Sequence, residues 1–297
     1  MKRRYVIADV FTDKPFLGNP VAVVLDAQGM STESMQQIAI EFGYSETTFV
    51  LPPDDAANTA RVRIFTPSRE IPFAGHPNVG TAYVLANQAQ LNGKTLPETL
   101  LFEELAGLVP VRLVKDNGTV VGAELLAPEA LSCRSEVSAQ KIAACLSLDV
   151  EHIRTEMHMP LVASVGLPFL IVELASHEAL RQCVPNLQGF RATLPLDGAV
   201  SIYAYTQESE PDMHCDLAAR MFTARMTEDP ATGSAAAALT SLLATLHAKS
   251  SLSLHIRQGV DMGRASSLYA HYDASSGKPA IRVGGKSVIT MEGTFSL

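Results

Sequence analysis

The sequence predicts an α+β protein made of two similar halves, each with a sheet and one buried helix. Three observations support this prediction. The 297-residue chain is long enough for two domains, each with its own core. Segments of the first half recur in the same order in the second, at a nearly constant spacing. Gly18 and its counterpart Gly166 are 148 residues apart, and Phe65 and its counterpart Phe222 are 157 apart. Each half also has an apolar helix directly after a polar glycine loop.

The first recurring elements are strands. GNPVAVVLD (18–26) and GLPFLIVEL (166–174) both place a proline ahead of a continuous apolar run, which indicates a buried strand. A second pair, SETTFV (45–50) and SIYAYT (201–206), is rich in β-forming residues. Each half is therefore expected to contain at least two strands in the same order.

Between these strands each half is expected to form a helix. STESMQQIAIEFGY (31–44) has one apolar face and reaches Gly43, which is typical of a helix end. SHEALRQCVPNLQGF (176–190) stands at the matching place, although Pro185 shortens it.

The two polar glycine loops come next, each followed by a helix that is apolar all round. FAGHPNVG leads into the helix expected over 78–90, and EDPATGSA leads into the helix expected over 234–246. Gly233 permits close backbone approach, and Ser234 is expected to cap the second helix. Free N–H groups and the dipole of a helix start favour an anion. If the halves pack with approximate two-fold symmetry, both loops face one shared cleft that holds a carboxylate.

The boundary between the halves is expected near Pro128. The segment before it contains Asn117-Gly118, the dipeptide that is typical of a β-hairpin turn. We therefore expect an N-terminal domain over 1–128 and a C-terminal domain over 129–286.

Composition and motifs exclude several classes of function. A formal net charge of −8 argues against nucleic acid or an anionic membrane as partner. There is neither an apolar run of about 20 residues for a membrane span nor a secretory signal, and the four scattered cysteines suit a reducing, cytoplasmic compartment. The histidines and cysteines lack metal-binding spacing, and no P-loop, GxGxxG or GxSxG occurs. No metal and no cofactor are therefore expected.

The candidate catalytic residues are Glu46, His76 and Asp229. Glu46 is expected within a strand, where glutamate is depleted, and the repeat aligns it with the apolar Ile202. Desolvation there would raise the pKa of a carboxyl toward the range of general acid–base catalysis. His76 follows Gly75 at a helix start, and Asp229 lies in the second polar loop with Thr232.

The chain resembles the phenazine-biosynthesis PhzF-like isomerase family, which is related to diaminopimelate epimerase. The resemblance extends over almost the full length and is carried by GNPVAVVLD, YSETTFV, RIFTPSREIPFAGHPNVGTA, RMFTARMTEDPATGSAAAAL and RQGVDMGRAS. It implies two pseudo-symmetric diaminopimelate-epimerase-like domains, each a mostly antiparallel barrel-like sheet around a central helix. It also implies a homodimer, no cofactor, an interdomain site, and a final strand over 287–297 that returns to the first domain.

The same resemblance implies roles for individual residues. Glu46 matches the family's catalytic acid and base, and His76 and Asp229 match its polar pair near the substrate. The substrate-binding positions implied by the matching blocks are Asn19, Gly75, Thr232, Gly233 and Ser234. The epimerase relatives place a cysteine on each glycine loop. Here those places fall on Ala74 and on Pro230 or Thr232, so thiol racemisation is disfavoured.

Three functions remain open from the sequence. The first is a cofactor-independent isomerase of a small cyclic or unsaturated amino or hydroxy carboxylate. The family's type reaction, on trans-2,3-dihydro-3-hydroxyanthranilate, is an example from a biosynthetic process. The second is an epimerase or racemase of a related acid, and the third is a non-catalytic module that binds a metabolite anion.

Overall fold

The computed structural model describes residues 2–91, 95–208 and 214–297. The chain forms two compact units. Unit 1 consists of Met1–Leu125 and Gly284–Leu297, and unit 2 consists of Leu126–Val283. In the described part of the chain, no helix is long and apolar enough to cross a membrane.

Seventeen strands and six α-helices are present in the described residues. The strands are β1 (Lys2–Val10), β2 (Asn19–Val24), β3 (Thr47–Leu51), β4 (Ala60–Phe65), β5 (Glu70–Ile71), β6 (Thr99–Glu104), β7 (Gly107–Asp116), β8 (Thr119–Leu126), β9 (Ser132–Glu136), β10 (Leu161–Ser164), β11 (Pro168–Glu173), β12 (Ser201–Thr206), β13 (Leu217–Thr223), β14 (Glu228–Asp229), β15 (Ser251–Gln258), β16 (Ser266–Asp273) and β17 (Ala280–Ser296). The helices are α1 (Thr32–Phe42), α2 (Gly75–Leu91), α3 (Ala139–Leu146), α4 (His177–Gln182), α5 (Leu187–Thr193) and α6 (Gly233–Leu246).

Unit 1 is a closed barrel of eight strands. Around it the strands pair in the order β1, β2, β3, β4, β6, β7, β8 and β17, and β17 returns to β1. The β2–β3 and β4–β6 pairs are parallel, and most of the others are antiparallel. The last strand, β17, closes the barrel by pairing with the whole length of β1, from Lys2 opposite Ser296 to Val10 opposite Ser287.

Helix α2 is the core of this barrel and packs against β1, β2, β3 and β7. Gly80 lets the helix approach the sheet, because a Cβ there would lie 2.5 Å from a methyl carbon of Val21 and 2.8 Å from one of Val10. The helix is buried from His76 to Ala82, while Asn87 near its end is partly exposed. The prediction of a buried helix is therefore confirmed for its first half.

Unit 2 repeats this topology. The pairs β10–β11, β11–β12, β12–β13, β13–β15 and β15–β16 have the same order and direction as β1–β2, β2–β3, β3–β4, β4–β6 and β6–β7 of unit 1. Helix α6 is buried from Ala235 to Ala244 and packs against β10, β11, β15 and β16. The predicted α+β duplication around two central helices is confirmed.

A partly buried ion pair recurs in both units and fixes the register of the repeat. Arg63 binds Glu70 through two bonds of 2.7 Å, and Arg220 binds Glu228 through bonds of 2.9 and 2.8 Å. Each guanidinium also lies over the ring of the phenylalanine two residues later, at 5.1 and 4.7 Å. We call each set the Arg–Glu–Phe motif.

Strand pairing corrects the predicted alignment of Glu46. Thr47 pairs with the phenylalanine of the first motif, and Ile202 pairs with that of the second. Thr47 and Ile202 are therefore equivalent, and the equivalent of Glu46 is Ser201. The expectation that an apolar residue stands opposite Glu46 in the repeat is wrong, because the structural alignment of SETTFV with SIYAYT differs from the sequence alignment by one residue.

Most of the helix ends and turns predicted from local sequence are confirmed. Ser31 caps α1 and Gly43 ends it with a positive φ of 67°. Pro185 lies between α4 and α5, so the second predicted helix is divided rather than shortened. Asn117 and Gly118 both have positive φ in the turn between β7 and β8, as a two-residue hairpin requires.

Candidate active site

Glu46 lies immediately before β3, not within a strand as expected. Gly43 ends α1, and two further residues lead to the acid. The side chain is 18 % exposed. Burial raises the pKa of Glu46, and a hydrogen bond from the Ser45 side chain opposes the rise. Glu46 is thus a desolvated carboxyl, which makes it a stronger base than a solvated glutamate. Its remaining exposure leaves the carboxyl within reach of a small molecule.

His76 lies against this carboxyl. It is the second residue of α2, and its Nδ1 is 3.6 Å from Oε2 of Glu46. This separation is longer than a hydrogen bond and within the range of an ion pair. Unit 1 therefore brings two of the three predicted catalytic residues together.

Gly75 and Asn19 lie at the same end of the barrel. Gly75 begins α2, and the first N–H groups of a helix have no partner within the helix. Asn19 is buried and begins β2, which runs parallel to β3, so the starts of both strands lie at one end. This end of unit 1 combines a raised-pKa carboxyl, an imidazole, an amide and a helix N-terminus.

In unit 2, the predicted Asp229 and Thr232 are bonded to each other. The Thr232 hydroxyl donates to Asp229 Oδ2 at 2.6 Å. The Gln258 side chain forms two hydrogen bonds to the same loop. Its Nε2 donates to the Asp229 carbonyl at 2.8 Å, and its Oε1 accepts from the Thr232 N–H at 3.1 Å. Gln258 is fully buried, so this loop is held by an amide that water does not reach.

Helix α6 begins at Gly233 without a side-chain cap. Thr232 occupies the N-cap position, but its hydroxyl is directed to Asp229 and makes no cap bond. The expectation that Ser234 caps the helix is wrong, since Ser234 is the second residue inside it. The start of α6 therefore keeps first-turn N–H groups without a side-chain acceptor from its N-cap residue.

The acids of the two units stand at different places in the repeat. Asp229 pairs with β13 where Ile71 pairs with β4, and Glu46 corresponds to Ser201. Each of these two acids therefore has a counterpart in the other unit that cannot ionise near neutral pH. The two polar ends are related in backbone and different in chemistry.

Sequence reasoning missed two residues of unit 2. Tyr203 is fully buried, and burial together with the charge of Asp229 raises the pKa of its phenol. Within the described residues its hydroxyl has no hydrogen-bond partner. Gln258 is the second, although it lies in RQGVDMGRAS, a segment that carries the family resemblance. Its role depends on a contact with a loop 26 residues away, which no local pattern reveals.

Among the described residues, no group of three or more His, Cys, Asp or Glu side chains is placed to hold a metal ion.

Comparison with known proteins gives one consistent family. The family model described as phenazine biosynthesis-like protein (PhzC-PhzF) matches residues 8–293. An uncharacterised isomerase of Mesorhizobium japonicum is 37% identical over 302 residues, 98% of each chain. The trans-2,3-dihydro-3-hydroxyanthranilate isomerase of Pseudomonas aeruginosa is 34% identical over 294 residues, again 98% of each chain. The crystal structure of a Bacillus anthracis phenazine biosynthesis protein of the PhzF family is 26% identical, has a TM-score of 0.88 and covers 100% of both chains.

Proposed function

The chain belongs to the phenazine biosynthesis-like (PhzC-PhzF) family and is an isomerase, and from this premise we propose that it moves a proton within a small unsaturated carboxylic acid, with Glu46 as acid and base. One observation carries the proposal. Glu46 is a largely buried carboxyl with a raised pKa, partly open to small molecules and 3.6 Å from an imidazole. General acid–base catalysis needs a group of this kind.

The proposed reaction needs one proton carrier. Ionised Glu46 takes a proton from one carbon of the substrate and becomes a neutral acid. The electron pair of the broken C–H bond shifts along the conjugated system, and Glu46 returns the proton to a second carbon on the same face. Neither oxidation nor a leaving group is involved, so the residues of the chain suffice for the proton balance.

Burial helps both steps of this shuttle. A carboxylate whose pKa is raised is a stronger base than a solvated one, and its protonated form stays an acid near neutral pH. His76 is the polar neighbour of Glu46, and we propose that it contacts the substrate and fixes the ring beside the acid. The amide of Asn19 and the N–H groups at Gly75 are proposed to hold the substrate's polar substituents.

Asp229, Thr232, Gly233 and Ser234 belong to unit 2, and their part in substrate binding stays a prediction. The contacts of unit 2 support it, because the Asp229 carboxyl, the uncapped start of α6 and the Gln258 amide form one fixed group. Backbone N–H groups at a helix start are suited to a carboxylate.

For the substrate, we propose trans-2,3-dihydro-3-hydroxyanthranilate or a close relative among cyclic unsaturated amino acids. The support is the 34% identity to the Pseudomonas aeruginosa isomerase of that name, over 98% of each chain. We also propose a homodimer, which the family resemblance implies, and a cytoplasmic location, which the scattered cysteines suit.

Two-base epimerisation with thiols is not proposed. Counting from the Arg–Glu–Phe motifs, the two loops carry Ala74 and Thr232 at equivalent positions, so neither loop has the cysteine of the epimerase relatives. An epimerase that pairs Glu46 with His76 or Asp229 remains the second candidate, since the family fold is shared with epimerases. A non-catalytic anion-binding module is the third.

The test is to incubate the purified protein with trans-2,3-dihydro-3-hydroxyanthranilate in D2O and to follow the products by NMR and mass spectrometry. The isomerase predicts a shifted double bond with at most one deuterium at the new C–H. The epimerase predicts an unchanged double bond with deuterium at an inverted centre. A binding module predicts a bound acid without either change, and this outcome would contradict the proposal.

A further inference from the structure

Glu104 has a buried carboxyl that the proposed reaction does not use. It is the last residue of β6 and lies on the same face as Leu100 and Phe102, which are fully buried core residues. Both of its carboxyl oxygens are buried, and in the described part of the chain neither oxygen has a partner at hydrogen-bonding distance and angle. The same is true of both polar atoms of the Asn78 side chain, which lies on α2 beside it.

The repeat register identifies the counterpart of Glu104. In each unit the strand of the Arg–Glu–Phe motif pairs in parallel with the strand that follows the central helix. The pairing begins at equivalent points, Ala60–Phe102 and Leu217–Ile256. Two residues further along these strands stand Glu104 in β6 and Gln258 in β15. The two residues are therefore structurally equivalent.

Gln258 shows what this position does in unit 2. Its amide both donates to and accepts from the loop that leads into α6, at Asp229 and Thr232. In unit 1 the end of β6 lies beside the matching loop, because the Ala106 N–H donates to the Pro72 carbonyl at 3.2 Å. Glu104 is thus placed to act on the loop that leads into α2.

We propose that protonated Glu104 is a positioning residue that holds the loop 71–74 and the start of α2, and thereby keeps His76 against Glu46. A neutral carboxylic acid has one donor and one acceptor, and it therefore imitates the amide of glutamine. An ionised carboxylate only accepts, so it cannot donate to a backbone carbonyl as Gln258 does. The proton on Glu104 is what makes the two units equivalent at this position.

The surroundings of Glu104 favour the protonated form. Burial raises the pKa of Glu104 to about 8, and Asn78 opposes the rise. No charged side chain contributes to this rise in pKa. Four charged or titratable groups on the neighbouring elements each contact other side chains or backbone groups: Glu103 on β6, Arg61 on β4, Arg112 on β7 and His76 on α2.

The test is hydrogen–deuterium exchange of the segment 71–78 at pH 6 and pH 9.5, corrected for intrinsic exchange rates. In the wild type, protection should fall about tenfold between these pH values, as expected if ionisation removes the proposed hydrogen bond from Glu104 to the loop. Glu104→Gln should keep the protection at both pH values, and Glu104→Leu should lack it at both. Glu103→Gln, on the opposite face of the same strand, should behave as the wild type, and segment 229–236 of unit 2 should not respond.

Activity provides the second readout and rests on the proposed function. The kcat of Glu104→Gln should match the wild type at pH 6 and should exceed it at pH 9.5, whereas Glu104→Leu should lose about tenfold at pH 6. Equal protection of segment 71–78 in the wild type, Glu104→Gln and Glu104→Leu would overturn the proposal. Because exchange needs no substrate, that failure is distinct from a failure of the proposed reaction.

Discussion

Replacement of Glu104 by glutamine should change how the stability of the protein depends on pH. The folded state holds this carboxyl with a pKa of about 8, against an ordinary value of 4.5 for a glutamate side chain. Between these values the folded state keeps a proton that the unfolded state has released. Stability therefore falls as pH rises through this window, and the loss is complete above about pH 8.

The magnitude follows from the two pKa values. A tenfold change in proton affinity corresponds to about 1.36 kcal/mol, so ionisation of the buried carboxyl costs the wild type on the order of 5 kcal/mol. Glutamine at this position has the same shape and never ionises. Glu104→Gln should therefore equal the wild type in free energy of unfolding near pH 4.5 and exceed it by several kcal/mol, on the order of 5, at pH 9.

The assay is urea denaturation followed by circular dichroism, since the chain has no tryptophan for fluorescence. Glu103→Gln is the matched control. Hydrogen bonds from Asn58 and from backbone N–H groups lower the pKa of Glu103, so removal of its charge should give no gain at high pH. A free-energy difference between Glu104→Gln and the wild type that stays constant from pH 4.5 to pH 9 would refute the reasoning.

Two further predictions concern the packing of the units. Arg220 is held by Glu228 and by three carbonyls at the end of α4, whereas its counterpart Arg63 is held by the same kind of carboxylate and one threonine hydroxyl. Since lysine cannot reproduce the two parallel hydrogen bonds of a guanidinium, Arg220→Lys should lower the free energy of unfolding by about 2–4 kcal/mol, and Arg63→Lys should lower it clearly less. Urea denaturation measures both losses, and equal losses would contradict this prediction. At Gly189 in α5 a Cβ would lie 2.5 Å from a backbone oxygen of α3, so Gly189→Ala should lower stability by about 1–3 kcal/mol although alanine favours helix. The exposed neighbour Gln188→Ala should stay within about 0.5 kcal/mol of the wild type, and a stabilising Gly189→Ala would count against this account of the packing.

The sequence was sufficient for the features that rest on local pattern. Apolar runs, the Ser31 cap, the Gly43 stop and the Asn117-Gly118 turn each depend on neighbouring residues, and each is present. The repeat itself could be found because its elements keep their order. The sequence could not align the two repeats to the exact residue, because the segments between strands differ in length. Only the pairing of the strands in the structure shows which residues are equivalent.

The candidate site divides in the same way. Glu46 and His76 could be singled out because each is an unusual residue in its local context, and the structure brings them together. Gln258 and Glu104 could not, since their roles depend on loops 26 and about 30 residues away and on the parallel pairing of strands around a helix. A glutamate at the end of an apolar strand is by pattern a solvated residue, and only its burial reveals otherwise.

The most direct test of the central claim is the rate at which the Glu46→Gln variant isomerises trans-2,3-dihydro-3-hydroxyanthranilate in D2O. Glutamine keeps the shape and the polarity of the side chain but cannot carry the proton. The account predicts a loss of about 10²–10⁴-fold in product formation and deuterium incorporation, with unchanged thermal melting. His76→Asn and Asp229→Asn should weaken activity together with binding. A Glu46→Gln variant that works at nearly the wild-type rate, while Asp229→Asn is inactive, would contradict the account and assign the proton transfer to Asp229.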